Sequence, residues 1–395
     1  MSINKIAKLN ACLLFSRLDI LAALPLYCIS IIKEISPMTR REYLVKQKEM
    51  GRHLFGVFPA QYPKEILWAM NIVPAEIWDP PLEITAANAH LQPTICSVVK
   101  LGMELILQGK CDILDGFLFP HTCDSIQNLA SVINDYMKTE KPCYFFYHPK
   151  APYGTAGRDF YCNHLKELVR SLEKQFGPLN PNTLKQCIHQ GQKISALLTR
   201  LYDLRAKGEL NITNKEFYRV VRRGEYLFPD DLIPELEAFI SQNKGQGRKG
   251  QIPVILSGVL PNPPEILTLL DDLGVSVAHD DLLIGSRRLL VPANDLDDPF
   301  EQLTESYFAM PPCSTKGSSI SERTEYLFRL VDATGAKGVI FNVVKFCEPE
   351  WFDIPNLKEE LKKRDISALT LDTELNQGLS GQMVTRVEAF VEMIG

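Results

Sequence analysis

Two kinds of segment alternate along most of the chain. Short, mostly apolar runs fall at residues 54–57, 73–78, 113–119 and 143–147 and read as buried strands, Glu76 and Asp115 being the charged residues within them. Between them lie longer stretches with apolar positions every three to four residues, which read as helices. Pro63 and Glu65 open one over 63–71 (PKEILWAMN), with Pro at an early helical position and an acid in the first turn. A charged helix is predicted over 39–50. A helix carrying Cys96 precedes the 113–119 strand, and another follows over 124–137. Strands alternating with helices of this length predict βαβ units and a parallel sheet. From about residue 158 to 243 the strand signal disappears and only helices remain (160–176, 181–208, 214–228 and 232–242), the second started by Asn180, Pro181 and Asn182. KGQGRKG (244–250) reads as a linker. Alternation then resumes, with strands at 252–258, 275–281, 338–344 and 367–372. The helices between them are predicted at 263–274, 322–335, 356–365 and 381–394, and an irregular stretch reaches to about residue 319.

The predicted fold class is therefore α/β, with two parallel-sheet domains, a helical insertion and N-terminal helices. The divisions are a lead-in over 1–37, an α/β domain over 38–157 with Cys96 and Cys123, a helical insertion or bridge over 158–243, and a second α/β domain over 251–395 with Cys347. The lead-in is strongly apolar over 11–32. Arg17, Asp19 and Pro25 interrupt it, so it reads as a packing helix broken at Pro25 in preference to a membrane-surface helix or a span.

Composition narrows the function. The length of 395 residues fits two or three domains, and an apolar content of 45% suffices for real cores. A net charge of −5 gives no general field for nucleic acid. Ten cysteines without regular spacing are no disulfide framework, and no secretory signal is evident. A reducing cytoplasm is the expected location, where cysteines are buried, metal-binding or catalytic. No GxGxxG, Walker A or HExxH motif occurs, so any ATP involved is expected to bind another protein.

Three of the cysteines share a setting. Cys123 follows the 113–119 strand and Cys347 follows the 338–344 strand, each with an acid next in line, Asp124 and Glu348. Ligands in open α/β sheets bind beyond such strand ends, and a helix N-terminus favours thiolate over thiol. Cys96 stands near the start of the preceding helix. A buried cysteine serving as a small hydrophobe is the ordinary case. The alternative is that the three thiols meet and hold an iron–sulfur cluster. Their positions, 96, 123 and 347, match no short zinc or ferredoxin run, so only folding could unite them. Three ligands would leave one iron of a four-iron cluster open to a substrate atom.

The remaining candidates each have an ordinary reading. Glu65 is either an acid or base near substrate or a plain helix-start acid. His121 is either a donor to a cluster sulfur or substrate oxygen or a histidine packed on the sheet edge. His148 reads as a packed strand-end histidine. Asp280 and Asp281 read as structural, orienting Arg287 or capping a helix. Arg287 and Arg288 are surface arginines or partners for CoA phosphates.

PKEILWAMNIVPAEIW, TICSVVKLGMELIL, ILDGFLFPHTCDS, HDDLLIGSR, KFCEPE and GQMVTRVEAFVEM, in that order and spacing, resemble the family of 2-hydroxyacyl-CoA dehydratase and benzoyl-CoA reductase subunits. The resemblance runs from about residue 40 to the C-terminus. It implies two flavodoxin-like domains and an oxygen-sensitive [4Fe–4S] cluster on Cys96, Cys123 and Cys347. It also implies a homologous sister subunit, an acyl-CoA substrate, and an ATP-hydrolysing iron–sulfur activator that injects one low-potential electron. In the dehydratases that electron makes a ketyl radical from the thioester, which allows loss of the 2-hydroxyl. In the reductases electrons enter an aromatic ring. Gln382 and Arg386 on the last helix are marked by the resemblance alone. One departure stands out: family members often carry a cysteine after the Asp pair, where this chain has Asp280, Asp281, Leu282 and Leu283. Two other functions compete. One is a related reductase acting on a small molecule without CoA. The other is a non-catalytic partner supporting a catalytic sister.

Overall fold

The computed structural model describes residues 38–247, 250–289 and 296–395. The predicted lead-in over 1–37 lies outside them. Residues 47–395 form one compact unit. Helix α1 (Arg40–Glu49) begins where the Glu42 carboxylate accepts from the Thr39 N–H and hydroxyl, at 2.7 and 2.8 Å.

The first sheet is built from β1 (His53–Val57), α2 (Lys64–Ala69), β2 (Ile72–Glu76), α3 (Ser97–Leu107), β3 (Gly116–Pro120), α4 (Asp124–Ser131) and β4 (Cys143–Phe146). Its four strands run parallel in the order β2-β1-β3-β4. The nearly continuous apolar runs have the reason expected for parallel sheets: both faces are covered, and every residue of β2 and β3 is buried. Four helices follow, α5 (Thr155–Phe176), α6 (Pro181–Ala206), α7 (Asn214–Val221) and α8 (Pro229–Asn243). The predicted start signal holds at α6, where the Asn180 side chain accepts from the N–H of Asn182 at 2.9 Å and Pro181 takes the first helical position. These helices are not a detached bridge. Tyr161 and Leu165 of α5 and Leu184 of α6 share one core with Phe55, Leu118 and Phe146 of the first sheet.

The second sheet comprises β5 (Ile252–Gly258), α9 (Glu265–Asp272), β6 (Val275–Leu282), α10 (Pro299–Ala309), α11 (Ile320–Thr334), β7 (Gly338–Val344), α12 (Glu348–Lys363), β8 (Ser367–Thr373) and α13 (Gly381–Ile394). Its strands are parallel in the order β6-β5-β7-β8, which repeats the order of the first sheet. Leu327 and Val331 of α11 and Ile354, Leu357 and Leu361 of α12 cover Ile255, Val339, Phe341 and Val343. The architecture is thus the expected α/β pair of flavodoxin-like sheets.

Two elements differ from the sequence reading. The stretch read as irregular holds α10, whose Leu303 and Tyr307 pack into the core of the first sheet. Helix α12 starts directly after Cys347 and runs through Pro355, well before the predicted residue 356. Pro349 sits in its first turn, where no intrahelical N–H is needed. Among the described residues, no helix is long and apolar enough to cross a membrane.

The end of β5 is especially tight. Gly258 has φ +140°, and a Cβ there would stand 2.1 Å from the Asn342 carbonyl oxygen of β7. The side chain of Asn342 in turn donates to the carbonyls of Leu260 and Asn262 at 3.0 and 3.1 Å, fixing the loop after β5. Gly258→Ala is expected to cost about 3 kcal/mol or more through strain and overpacking, seen as a clear fall in the thermal unfolding midpoint. An unchanged midpoint would contradict this close approach.

Candidate functional site

Cys96, Cys123 and Cys347 line one cavity of about 430 Å³, counting its open side. Each is the residue that flanks the start of a helix: Cys96 for α3, Cys123 for α4 and Cys347 for α12. The remaining walls come from matching loops of the two sheets. Pro59 follows β1 and Val259 follows β5, while Trp78 follows β2 and Leu283 follows β6. The carboxyl edges of both sheets therefore face a shared, largely apolar space.

Local contacts hold each thiol in place. The Thr122 hydroxyl donates to the Pro59 carbonyl at 2.8 Å and accepts from the Ala60 N–H at 3.1 Å, which locks the turn before Cys123 to the loop after β1. The Lys150 ammonium donates to the carbonyls of Thr122 (2.9 Å) and Thr315 (2.5 Å), joining that turn to another wall of the cavity. Ser97, next to Cys96, accepts from the Leu375 N–H at 3.3 Å, so the start of α3 is anchored to the chain after β8. Before Cys347, Phe346 has φ +63°, a left-handed conformation that costs about 1–2 kcal/mol for a residue with a side chain.

The thiols sense each other. Burial pushes Cys96 up to about 12, and the nearby Cys123 adds to the rise. Burial also raises Cys123, against the pull of the Ile126 and Ser125 amides and of Lys150. Cys347 is raised well above the usual thiol range by burial and then by Cys96, Glu350 and Cys123. None of the three closes a side-chain hydrogen bond at its helix start. Without a cation the three are neutral thiols, since three thiolates here would repel one another. A bound metal group would remove their protons. Among the described residues, no three His, Cys, Asp or Glu side chains converge closely enough to chelate a single metal ion.

A second cavity of about 970 Å³, again counting its mouth, lies behind this one. The two share a wall. Pro59 and Leu283 face the thiols, whereas their neighbours Ala60 and Ile284 face the second cavity. Thr315, on the thiol side, donates to Gln61 Oε1 on the other side at 3.2 Å. Glu65 lines the second cavity from the first turn of α2 and is buried. It packs against α6 at Gly191, where an added Cβ would stand 2.5 Å from Glu65 Oε1 and the carboxylate would have to shift. Burial raises the Glu65 carboxyl to about 6, opposed by its own backbone amide and by Lys64. Gln61 Nε2, Trp68 Nε1 and Arg288 Nε, in side chains lining the same cavity, have no hydrogen-bond partner.

Apart from Arg288, which lines the second cavity, the other sequence candidates lie elsewhere. His121 faces a separate shallow cleft beside Ile126, Gln127 and Tyr147, with Nε2 3.6 Å from Asp124 and its ring edge-on to Tyr147. It is not among the residues lining the thiol cavity. His148 is packed, with Nδ1 3.0 Å from the Tyr307 hydroxyl, and burial keeps it well below the usual histidine range. Asp280 accepts from the hydroxyls of Tyr202 (2.6 Å) and Tyr218 (2.9 Å) inside the protein. Asp281 orients Arg287 (Nε–Oδ1 2.6 Å), as the sequence suggested. Arg287 is fully buried there, which excludes it as a surface contact for phosphates. Arg288 is held by Glu76 at 2.9 Å and by the Ile284 carbonyl at 3.0 Å. Burial pushes Glu76 up, but Arg288 and Lys64 outweigh it and hold that carboxyl at about 2. Gln382 and Arg386 lie exposed on α13. Sequence reasoning missed Gln61, Thr122, Lys150 and Thr315, whose contacts depend on distant partners.

Known proteins share this plan. The family model described as 2-hydroxyglutaryl-CoA dehydratase, D-component, matches residues 59–394. The chain is 26% identical over 367 residues to the beta subunit of (R)-2-hydroxyglutaryl-CoA dehydratase of Acidaminococcus fermentans, covering 89% of this chain and 95% of that protein. It is 24% identical over 365 residues to the (R)-phenyllactyl-CoA dehydratase beta subunit of Clostridium sporogenes, covering 90% and 95%. It is 23% identical over 376 residues to a benzoyl-CoA reductase subunit of Thauera aromatica, covering 93% and 97%. With a family match over residues 59–394, most of its length, the chain belongs to the 2-hydroxyglutaryl-CoA dehydratase D-component family.

Proposed function

We propose that the chain is the iron–sulfur subunit of an enzyme of the 2-hydroxyacyl-CoA dehydratase or benzoyl-CoA reductase type. Cys96, Cys123 and Cys347 are its cluster ligands, and the group is a [4Fe–4S] cluster. One observation carries this reading: three thiols from distant parts of the chain, each at a helix start, line a single apolar cavity. The donor set is soft, and helix N-termini favour the thiolate form that iron requires. When bound, such a cluster supplies low-potential single-electron chemistry, with one iron free of protein thiolate.

The chain's own residues supply the surroundings. Apolar walls exclude water from the thiol side. The neighbouring cavity takes the acyl part of the substrate, among side chains of Gln61, Trp68 and Arg288 that each carry a buried N–H without a partner. Glu65, with a value near 6, exchanges a proton there close to neutral pH. The named relatives are subunits of dehydratases and of a reductase for acyl-CoA thioesters, which supports a partner subunit and an acyl-CoA substrate; that the partner is homologous and that an ATP-hydrolysing activator donates the electron belong to the proposal on the strength of the motif resemblance. His121, apart from the thiol cavity, is left a supporting role at the α4 surface. A second reading, a related reductase acting on a small molecule without CoA, draws on the two arginines considered for CoA phosphates: Arg287 and Arg288 are both committed to internal carboxylates.

Cys123→Ser and Cys347→Ser are each expected to lose iron and acid-labile sulfide after anaerobic purification, with an unchanged far-UV circular dichroism spectrum. Retained iron in both variants would remove the ligand assignment. Titration calorimetry with 2-hydroxyacyl-CoA and aromatic acyl-CoA thioesters separates the two readings, since heat with any of them supports the first and none supports the second. Glu65 has a pH signature of its own. Its folded value is raised from 4.5 to about 6, so the stability it gives is complete below 4.5 and is lost as pH rises through 6. Relative to the parent, Glu65→Gln should therefore gain about 2 kcal/mol between pH 4.5 and 7.5. A pH-independent difference in denaturant midpoints would show that Glu65 titrates normally.

A further inference from the structure

Behind Cys347 lies a set of buried charges that the proposed activity does not use. Glu350 occupies the third position of α12, whose flanking residue is Cys347, and is 1% exposed. It accepts from Arg287 Nη1, from Arg287 Nη2 at 3.2 Å, from Arg323 Nη2 at 3.4 Å and from the Ser314 hydroxyl at 2.6 Å. Arg287 also donates to both oxygens of Asp281, at 2.6 and 2.8 Å, and Asp281 accepts from the Ser257 hydroxyl at 2.7 Å. Arg323 reaches Asp353, one turn further along α12, at 2.5 Å. The set thus ties the first two turns of α12 to the ends of β5 and β6, to α11 and to the turn at Ser314–Lys316.

Burying such a network is a poor way to gain stability, because apolar side chains of similar volume commonly do as well or better. It does fix geometry, because each carboxylate is held from several directions at once. The place where geometry needs fixing is adjacent. Phe346 is held left-handed, and this turn of the chain aims Cys347 at the cavity. Free of restraint, a phenylalanine there would relax and carry the thiol with it.

We propose that Glu350, clamped by Arg287, Arg323 and Ser314, is a positioning residue that holds the start of α12 so that the Cys347 thiol meets those of Cys96 and Cys123. The inference rests on the proposed ligand role of Cys347, but its first readout does not need bound iron. In the full-length protein, freed of metal by chelation under anaerobic conditions, the rate of Cys347 alkylation by iodoacetamide is compared with that of Cys111 by mass spectrometry. Glu350→Gln is expected to raise this ratio several-fold, and the exposed control Glu348→Gln to leave it at the parental value. In protein purified with its iron, Glu350→Gln should release iron to a chelator about tenfold faster or more and alter the EPR spectrum of the reduced sample. Parental alkylation ratios in a folded Glu350→Gln protein would overturn the proposal, whatever the iron content. If that variant fails to fold, Ser314→Ala removes a single donor from the same carboxylate. A smaller shift of the alkylation ratio in the same direction supports the clamp, and no shift overturns it.

Discussion

All strands of a parallel sheet end at one edge, and where the strand order reverses beside the first strand the adjoining loops diverge and leave a crevice. Both sheets obey this constraint in the same way, with β1 between β2 and β3 and β5 between β6 and β7. The loops after β1 and β5 and the turns after β3 and β7 contribute walls or thiols to one space. Everything chemical in the chain depends on those two crevices opening toward each other. Short ties maintain the arrangement. The Thr122 hydroxyl bonds to the loop after β1, and the Asn342 amide bonds to the loop after β5.

Burial and charge divide the work between the two cavities. The thiol side is apolar, and burial raises its thiols above their ordinary range. The neighbouring cavity keeps a carboxyl near its titration range and committed bases at its edge. Hydrogen bonds cross the wall between them, from Thr315 to Gln61, from the Ala60 N–H to Thr122 and from the Ile284 N–H to the Val259 carbonyl.

The sheets were legible in the sequence because strands covered on both faces leave nearly continuous apolar runs, as in β3 and, apart from Asn342, in β7. Helix α10 was not legible. It has few turns, and its apolar residues Leu303 and Tyr307 are explained only by the core of the first sheet, far back in the chain. The start of α12 was obscured by Pro349 and Pro355, which read as breaks, although the first stands where a helix tolerates proline. Cys123 and Cys347 could be singled out by their places after strands, but their meeting with Cys96 could not, and the family resemblance supplied the triple. Glu350 shows the limit most clearly. An acid in a first turn looks like an ordinary complement to the helix dipole. Only the folded chain brings Arg287, 63 residues away, onto it.

The repeated strand order also gives the cysteines an internal kinship. Cys123 and Cys347 hold the same place, just after the third strand of each sheet. Cys96 falls between the second and third strands of the first sheet, and Cys313 falls in the corresponding interval of the second. The duplicated plan therefore offers four sulfurs in two related pairs. Three of them reach the common cavity. The fourth is not among the residues lining it: the Cys313 sulfur lies 3.1 Å from the Thr315 hydroxyl and 3.8 Å from Arg287 Nη1. A nearly symmetric scaffold has thus become a lopsided socket, with one arm of a doubled design committed to contacts beside the cavity and not in it.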